Sequence, residues 1–186
     1  MAENKGKFIV RLALILLAVS AVMALALGVM NELTKEPIRI GAEEKMKKAY
    51  ANVLDADTYE ELQLPDGIKC ITKLSAAKDA SGTELGFVAE STFPGAQGMV
   101  TMVTGLDSEL KCSGIYVTAH TETPGLGAKA ADTSEGAWRD CVVGQGDGLA
   151  LKKDDGEVDA IAGATITSKA IVNQIQSIID TVSMLG

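Results

Sequence analysis

The longest hydrophobic stretch lies near the N-terminus. Residues 12–30, LALILLAVSAVMALALGVM, contain no charged residue. A helix of ~20 apolar residues crosses the hydrocarbon core of a bilayer, so this stretch predicts one transmembrane helix. A cleaved signal peptide is the competing interpretation, because Ala24 and Ala26 form an A-x-A-like site after a basic start. The apolar run continues past that site, which favours a retained anchor.

Charged and apolar positions alternate after this run. The segment NELTKEPIRIGAEEKMKKAYANVL, which starts at residue 31, suits a helix, and we expect residues 31–66 to form a stalk and linker. Proline lacks an amide and clashes with the preceding turn. Pro37 is therefore predicted to interrupt the first turns of the stalk helix.

Short runs of alternating, β-branched residues dominate the middle of the chain. Residues 67–74 and 83–91 flank a DASG turn and predict a first hairpin. Residues 99–107 and 110–120, rich in Val, Thr, Ile and Tyr, predict a second hairpin. The FPGAQG segment between the hairpins has the proline and glycines of a loop.

Helical spacing returns at the C-terminus. Over residues 166–185 the apolar positions recur at the period of an amphipathic helix, namely Ile171, Ile175, Ile178, Ile179 and Val182. Residues 133–144 predict a short helix capped by Thr133 or Ser134, and residues 148–155 a strand or strand edge. The fold class is α+β: a single N-terminal transmembrane helix, a helical stalk, and a compact domain over 67–186 with antiparallel strands and a C-terminal helix.

Charge is distributed unevenly along the chain. Three basic residues against one acidic residue give residues 1–11 a net charge of +2, so the remainder carries −10 of the total of −8. An acidic body argues against nucleic-acid binding, which needs clustered Lys and Arg. Basic residues before the span predict a cytoplasmic N-terminus and an extracytoplasmic domain.

Cysteine spacing excludes several metal and haem sites. Cys70, Cys112 and Cys141 are too widely separated for a C-x-x-C redox or zinc pattern, and no C-x-x-C-H haem motif is present. The favoured interpretation is that the three cysteines are small, buried apolar residues. One disulfide or a reactive thiol is left open as the alternative. Trp138 is expected to pack in the core, and stacking on a ligand is the alternative.

One candidate site precedes the C-terminal helix. In DAIAGATITS, residues 159–168, Gly163 permits a turn, Ala162 and Ala164 leave space, and Thr165 carries a hydroxyl. A helix N-terminus presents unpaired amides that favour an anionic phosphate. Thr167 and Ser168 add hydroxyls beyond the need of one cap. A plain N-cap without a ligand is the competing interpretation of Thr165.

A second candidate site is AHTETPGLGAK, residues 119–129, which follows a strand. Pro124 and two glycines predict a fixed turn with exposed backbone. The side chains and glycines expected to converge on a bound group there are His120, Glu122, Thr123, Gly125, Leu126, Gly127 and Lys129. A hydrogen-bonded structural role is the alternative for the histidine.

Together these two motifs resemble a known family. HTETPGLGAK followed by D-x-x-x-G-A-T is similar to the FMN-binding domain of the G subunit of the Rnf electron-transport complex, and of the C subunit of the sodium-translocating NADH:quinone reductase. The likeness covers almost the whole chain. It implies FMN joined to Thr165 by a phosphoester, made by a flavin transferase that recognises Asp159 and uses FAD. The HTETPGLG loop would then lie against the flavin ring.

The resemblance also implies a role and partners. We expect an electron-carrier subunit in the cell inner membrane that relays electrons between other Rnf subunits and has no catalytic activity alone. The complex would exchange electrons between ferredoxin and NAD while moving ions. One departure is Ala162, where the family usually has Ser or Thr. The compact length favours the Rnf G subunit over its quinone-reductase counterpart.

Two alternatives come from other classes. A basic start, an apolar helix and a β-rich head suit a pilin-like structural protein, but the early glutamate of such helices is missing. An anchored hydrolase or solute-binding domain would use His120 and Glu122 as acid and base. No nucleophile motif accompanies that pair.

Overall fold

The computed structural model describes residues 2–64, 67–68 and 70–185. Contacts divide the chain into two units, residues 1–44 and 45–186. The first unit is helical throughout its described part and belongs to helix α1, Ala2–Val53. Within the described part of the chain, one helix is long and apolar enough to cross a membrane. The side chains of Lys5 and Lys7, on which the predicted orientation depends, lie outside the described residues.

Helix α1 continues through Pro37, so the predicted interruption is wrong. Proline costs one backbone bond and a steric clash within a helix. Neighbouring side chains support the helix at this point. Arg39 pairs with Glu36 at 2.7 Å and with Glu43 at 2.6 Å, the i,i+3 and i,i+4 spacings that stabilise a helix by ~0.2–0.5 kcal/mol each.

The second unit is built on one five-stranded antiparallel meander in the order β1-β2-β3-β4-β5. The strands are β1 (Thr58–Leu62), β2 (Ile71–Lys78), β3 (Glu84–Pro94), β4 (Met99–Asp107) and β5 (Cys112–Ala119). Both predicted hairpins are confirmed. Asp79 and Asp107 organise their turns, since each carboxylate accepts two backbone amides, at 2.8–2.9 Å.

Strand β1 lies where the sequence predicts a stalk and linker. It pairs with β2 in register from Thr58–Lys78 to Leu62–Leu74. The last turns of α1 also belong to this unit. Ala49 and Val53 are buried against Ala77, Val88 and Val103 on one face of the sheet. By its contacts, this unit starts at residue 45.

Helix α2 (Thr165–Ser183) covers the opposite face of the sheet. Its predicted apolar positions are all buried and pack against residues of β2, β3 and β4: Ile171, Ile175, Ile178, Ile179 and Val182. The predicted helical period is confirmed. This packing fixes the axis of α2, and hence the place of its N-terminus.

Three short 3₁₀ helices connect β5 to α2: Gly127–Ala131, Trp138–Val142 and Lys152–Asp154. The predicted cap of the second is wrong, because Ala137 holds the cap position without a side-chain bond. Ser134 instead binds Asp132 through its amide and hydroxyl, at 2.9 and 2.8 Å. Only Leu151 in the predicted 148–155 strand forms a bridge, to Val158.

Candidate functional site

The segment that leads into α2 is held in place at several points. Lys152 donates its amide to Val158 O at 2.9 Å, which closes the preceding loop. Trp138 donates Nε1–H to Asp159 O at 2.6 Å. It also packs against the main core, which is the cluster of buried residues that includes those of α2 and the sheet face under it. The Asp159 carboxylate is exposed and pairs with Lys152 at 2.7 Å. The predicted core role of Trp138 is therefore confirmed, with an added hydrogen bond.

The N-terminus of α2 has no side-chain cap. Ala164 holds the cap position, and the first helical bond runs from Ser168 N to Ala164 O. The amides of residues 165–167 thus have no acceptor within the helix, as at every helix start. The plain N-cap interpretation of Thr165 is wrong, because Thr165 is the first helical residue.

The predicted set of hydroxyls separates into two kinds. Ser168 is fully buried, where its Oγ accepts Ile161 N–H at 2.9 Å and donates to Ala164 O at 3.0 Å. Thr167 is 1% exposed and donates to Glu122 Oε2 at 2.7 Å. Thr165 is half-buried, and among the described residues its hydroxyl makes no hydrogen bond. Only Thr165 therefore offers a free oxygen at this helix end.

The loop after β5 forms the predicted turn. Thr123 O accepts the amides of Leu126 and Ala128 at 3.1 and 3.3 Å. Gly125 has φ +77°, a conformation that favours glycine. Thr123, Gly125 and Leu126 are exposed. This loop thus offers an exposed backbone, a hydroxyl and an apolar side chain to a ligand.

Glu122 lies beneath that loop rather than on its surface. Only 6% of the surface of Glu122 is exposed to solvent. Oε1 accepts the amides of Ala96 and Gln97 at 2.8 and 3.1 Å, and Oε2 accepts the Thr167 hydroxyl. Burial alone would raise the pKa of this carboxyl. The hydrogen bonds from Thr167, Gln97 and Ala96 outweigh burial and hold the pKa below its ordinary value.

The two predicted motifs are in contact. A Cβ on Gly163 would lie 2.9 Å from Leu126 Cδ2, so the leucine packs directly over the glycine. Gly163 also has φ +76°. The two motifs are thus linked twice, by the contact between Leu126 and Gly163 and by the hydrogen bond between Thr167 and Glu122. Sequence spacing alone did not show that these loops would meet.

His120 and Lys129 are less buried than Glu122. His120 is half-buried, and within the described part of the chain its buried Nδ1 has no hydrogen-bond partner. Lys129 is exposed, in the last turn of its 3₁₀ helix. The pair expected to act as acid and base in a hydrolase is not supported, because the Glu122 carboxylate is enclosed by its three donors.

Two contributors to the site were not predicted from the sequence. The turn at residues 95–98 supplies two amides to Glu122, and Lys152 pairs with Asp159. In the sequence, only the glycines of FPGAQG indicated the turn at residues 95–98. A Cβ on Gly95 would clash with Glu122 Oε1, which explains that glycine.

The site residues fit a phosphate monoester with an attached ring. Unpaired amides at a helix N-terminus favour a phosphate, and the first turn of α2 contains no acidic residue to oppose it. Thr165 supplies an oxygen beside those amides. Leu126, at 41% exposed, supplies an apolar contact, as cofactor pockets require.

Several known proteins are similar to this chain. Residues 95–180 match the FMN-binding domain family. The G subunit of the ion-translocating oxidoreductase complex of Methanosarcina acetivorans is 32% identical, over 97% of this chain and 97% of the relative. The G subunit of the Na(+)-translocating ferredoxin:NAD(+) oxidoreductase complex of Acetobacterium woodii is 30% identical, over 91% of this chain and 89% of that one.

Among solved structures, NqrC of Shewanella oneidensis superposes with a TM-score of 0.45 and 20% identity, covering 69% of this chain and 66% of that chain. This likeness is too distant to carry a functional conclusion. The pilin-like alternative finds no support in these comparisons. Because its relatives match over nearly their full length, the chain belongs to the family of ion-translocating oxidoreductase complex G subunits and contains an FMN-binding domain.

Proposed function

We propose that this protein is a membrane-anchored electron carrier of an Rnf-type, ion-translocating ferredoxin:NAD oxidoreductase complex, with FMN covalently bound to Thr165. The observation that carries the proposal is the meeting of the two motifs at the uncapped N-terminus of α2. There a half-buried threonine hydroxyl lies beside free amides and an exposed apolar loop.

The phosphate of FMN would be held at the start of α2. The amides of Thr165, Ile166 and Thr167 are its hydrogen-bond donors, and the helix dipole favours its charge. Gly163 and Ala164 leave room for it. Ala162 is exposed and contributes no hydroxyl, so the backbone must supply the binding there.

The ring system of FMN would lie against the loop after β5. Leu126 offers its exposed face, and Thr123 with the backbone at Gly125 offers polar contacts to the ring edge. His120 Nδ1, buried without a partner among the described residues, is placed to accept or donate one hydrogen bond. Lys129 is an exposed cation at the same loop. FMN supplies reversible electron acceptance and donation, and the protein supplies its position.

Attachment requires a flavin transferase with FAD as donor. A bond forms between Thr165 Oγ and the FMN phosphorus, the pyrophosphate bond of FAD breaks, and AMP leaves as the hydroxyl proton is released. Asp159 is the proposed recognition residue, because its carboxylate is exposed. The covalent bond prevents loss of the cofactor, since a tethered ligand stays at high effective concentration.

Helix α1 anchors the chain in a membrane, as its apolar window is long enough to span one. We assign the cell inner membrane, with the N-terminus in the cytoplasm and the flavin domain outside. Ferredoxin and NAD chemistry and ion movement belong to partner subunits. The chain itself relays electrons between them.

Covalent attachment is tested by expressing the full chain with and without a flavin transferase. The proteins are denatured, separated on a gel and examined for flavin fluorescence, alongside Thr165→Ala and the control Thr133→Ala at an exposed threonine. Fluorescence is expected with the transferase in wild type and in Thr133→Ala, and is lost in Thr165→Ala. Absence of fluorescence in the wild type with the transferase would overturn the proposal.

A further inference from the structure

The carboxylate of Glu122 joins three segments that are distant along the chain. It belongs to the loop after β5, its Oε1 binds the turn that follows β3, and its Oε2 binds the first turn of α2. Thr167, which donates that last bond, is two residues from Thr165. The carboxylate is therefore the direct polar link between the loop expected to hold the ring and the helix expected to hold the phosphate.

Backbone segments pack closely against both oxygens of Glu122. A Cβ on Gly127 would clash with Glu122 Oε2 and would lie 2.9 Å from Thr167 Oγ1. A Cβ on Gly95 would clash with Oε1. The glycines let two backbone segments close over the carboxylate, and its three donors occupy three of about four lone-pair sites. The contacts of Glu122 are thus made mainly to the protein itself.

We propose that Glu122 is a positioning residue, which through Thr167 fixes the ring-binding loop relative to the start of α2 and so immobilises the flavin ring. The inference rests on the proposed function. A phosphoester at Thr165 tethers only one end of FMN, through a flexible chain. The other end is restrained only if the loop stays at a constant distance from the helix, and the Glu122–Thr167 bond maintains that distance.

The test separates attachment of the flavin from restraint of its ring. Thr167→Val keeps the shape of the side chain but removes the donor, so the loop loses its polar link to α2. Thr167→Ser keeps the hydroxyl and is the conservative rescue. Glu135→Ala, at an exposed position between the first two 3₁₀ helices, is the control. All are made in the full chain with the transferase and purified in detergent.

Two readouts are compared for each variant. Flavin content after denaturation reports attachment, and time-resolved fluorescence anisotropy of the native protein reports ring motion. We expect wild-type flavin content in Glu135→Ala, and in the Thr167 variants the anisotropy is measured on the molecules that carry flavin. The fast, local component of the anisotropy decay should at least double in amplitude in Thr167→Val, and stay at the wild-type level in Thr167→Ser and Glu135→Ala.

An unchanged anisotropy decay in a Thr167→Val protein that carries its flavin would overturn the inference. So would an increase that Thr167→Ser fails to reverse. Both results leave the proposed function intact, because flavin is still attached. Failure of the proposed function has a different signature, namely no covalent flavin in the wild type.

Discussion

Replacing Glu122 by alanine is expected to destabilise the folded unit by about 2–6 kcal/mol in protein made without flavin. The Thr167 hydroxyl is 1% exposed and would lose its acceptor, which costs ~1–3 kcal/mol. The amides of Ala96 and Gln97 lie in a surface turn that water can reach, so each lost bond there costs only its net value of ~0.5–1.5 kcal/mol.

Urea denaturation of the full chain in detergent measures this difference. The single tryptophan, Trp138, packs on the main core and reports unfolding by its fluorescence. Glu122→Gln keeps the shape and can pair with the same three groups, so it should retain more than half of the lost stability. A Glu122→Ala protein within about 0.5 kcal/mol of wild type, the range of neutral surface substitutions, would refute the reasoning.

Three further outcomes are expected. Hydrogen bonds lower the pKa of Glu122 from the usual 4.5, so its carboxylate stabilises the fold above that pH and stabilises it less as the pH falls. The difference in free energy of unfolding between wild type and Glu122→Gln, measured by urea titration, should therefore become smaller in acid. Gly163→Ala forces φ +76° on alanine and displaces Leu126. The free energy of unfolding should therefore fall by ~1–3 kcal/mol, and fluorescence anisotropy should show a less rigidly bound flavin. Unchanged stability would contradict this. Burial raises the pKa of Cys112 to about 12, whereas Cys141 is exposed, so a maleimide should label Cys141 first in the native protein, as peptide mapping would show; equal rates would contradict this.

Elements with a clear period were predictable from the sequence. Helix α2 follows from Ile171, Ile175 and Ile178, because a single apolar stripe has one way to be buried. The hairpins follow from turn residues between β-branched runs. These parts depend on local chemistry that a single segment contains.

Elements without such a period were not predictable. Strand β1 has the sequence TYEEL and no fully buried position, since it lies at the sheet edge. Its pairing with β2 comes from tertiary contact rather than from its own pattern. Pro37 was misjudged for a related reason, because the helix around it is supported by one ion pair that spans it and one that follows it.

The site was predictable as two motifs but not as one arrangement. Both loops contained the residues expected of a phosphate and ring site, and the structure brings Leu126 onto Gly163. The role of Glu122 was hidden, because its partners lie in the turn at residues 95–98 and in α2. Burial of a charged group depends on segments far along the chain, which no local pattern reports.

The most direct test of the account is peptide mass spectrometry of the protein purified from its native membrane. The account predicts that the peptide containing Thr165 is heavier by the mass of FMN less one water, and that fragmentation places the added group on Thr165. Native protein in which that peptide is always unmodified, or modified on Thr167 or Ser168, would contradict it.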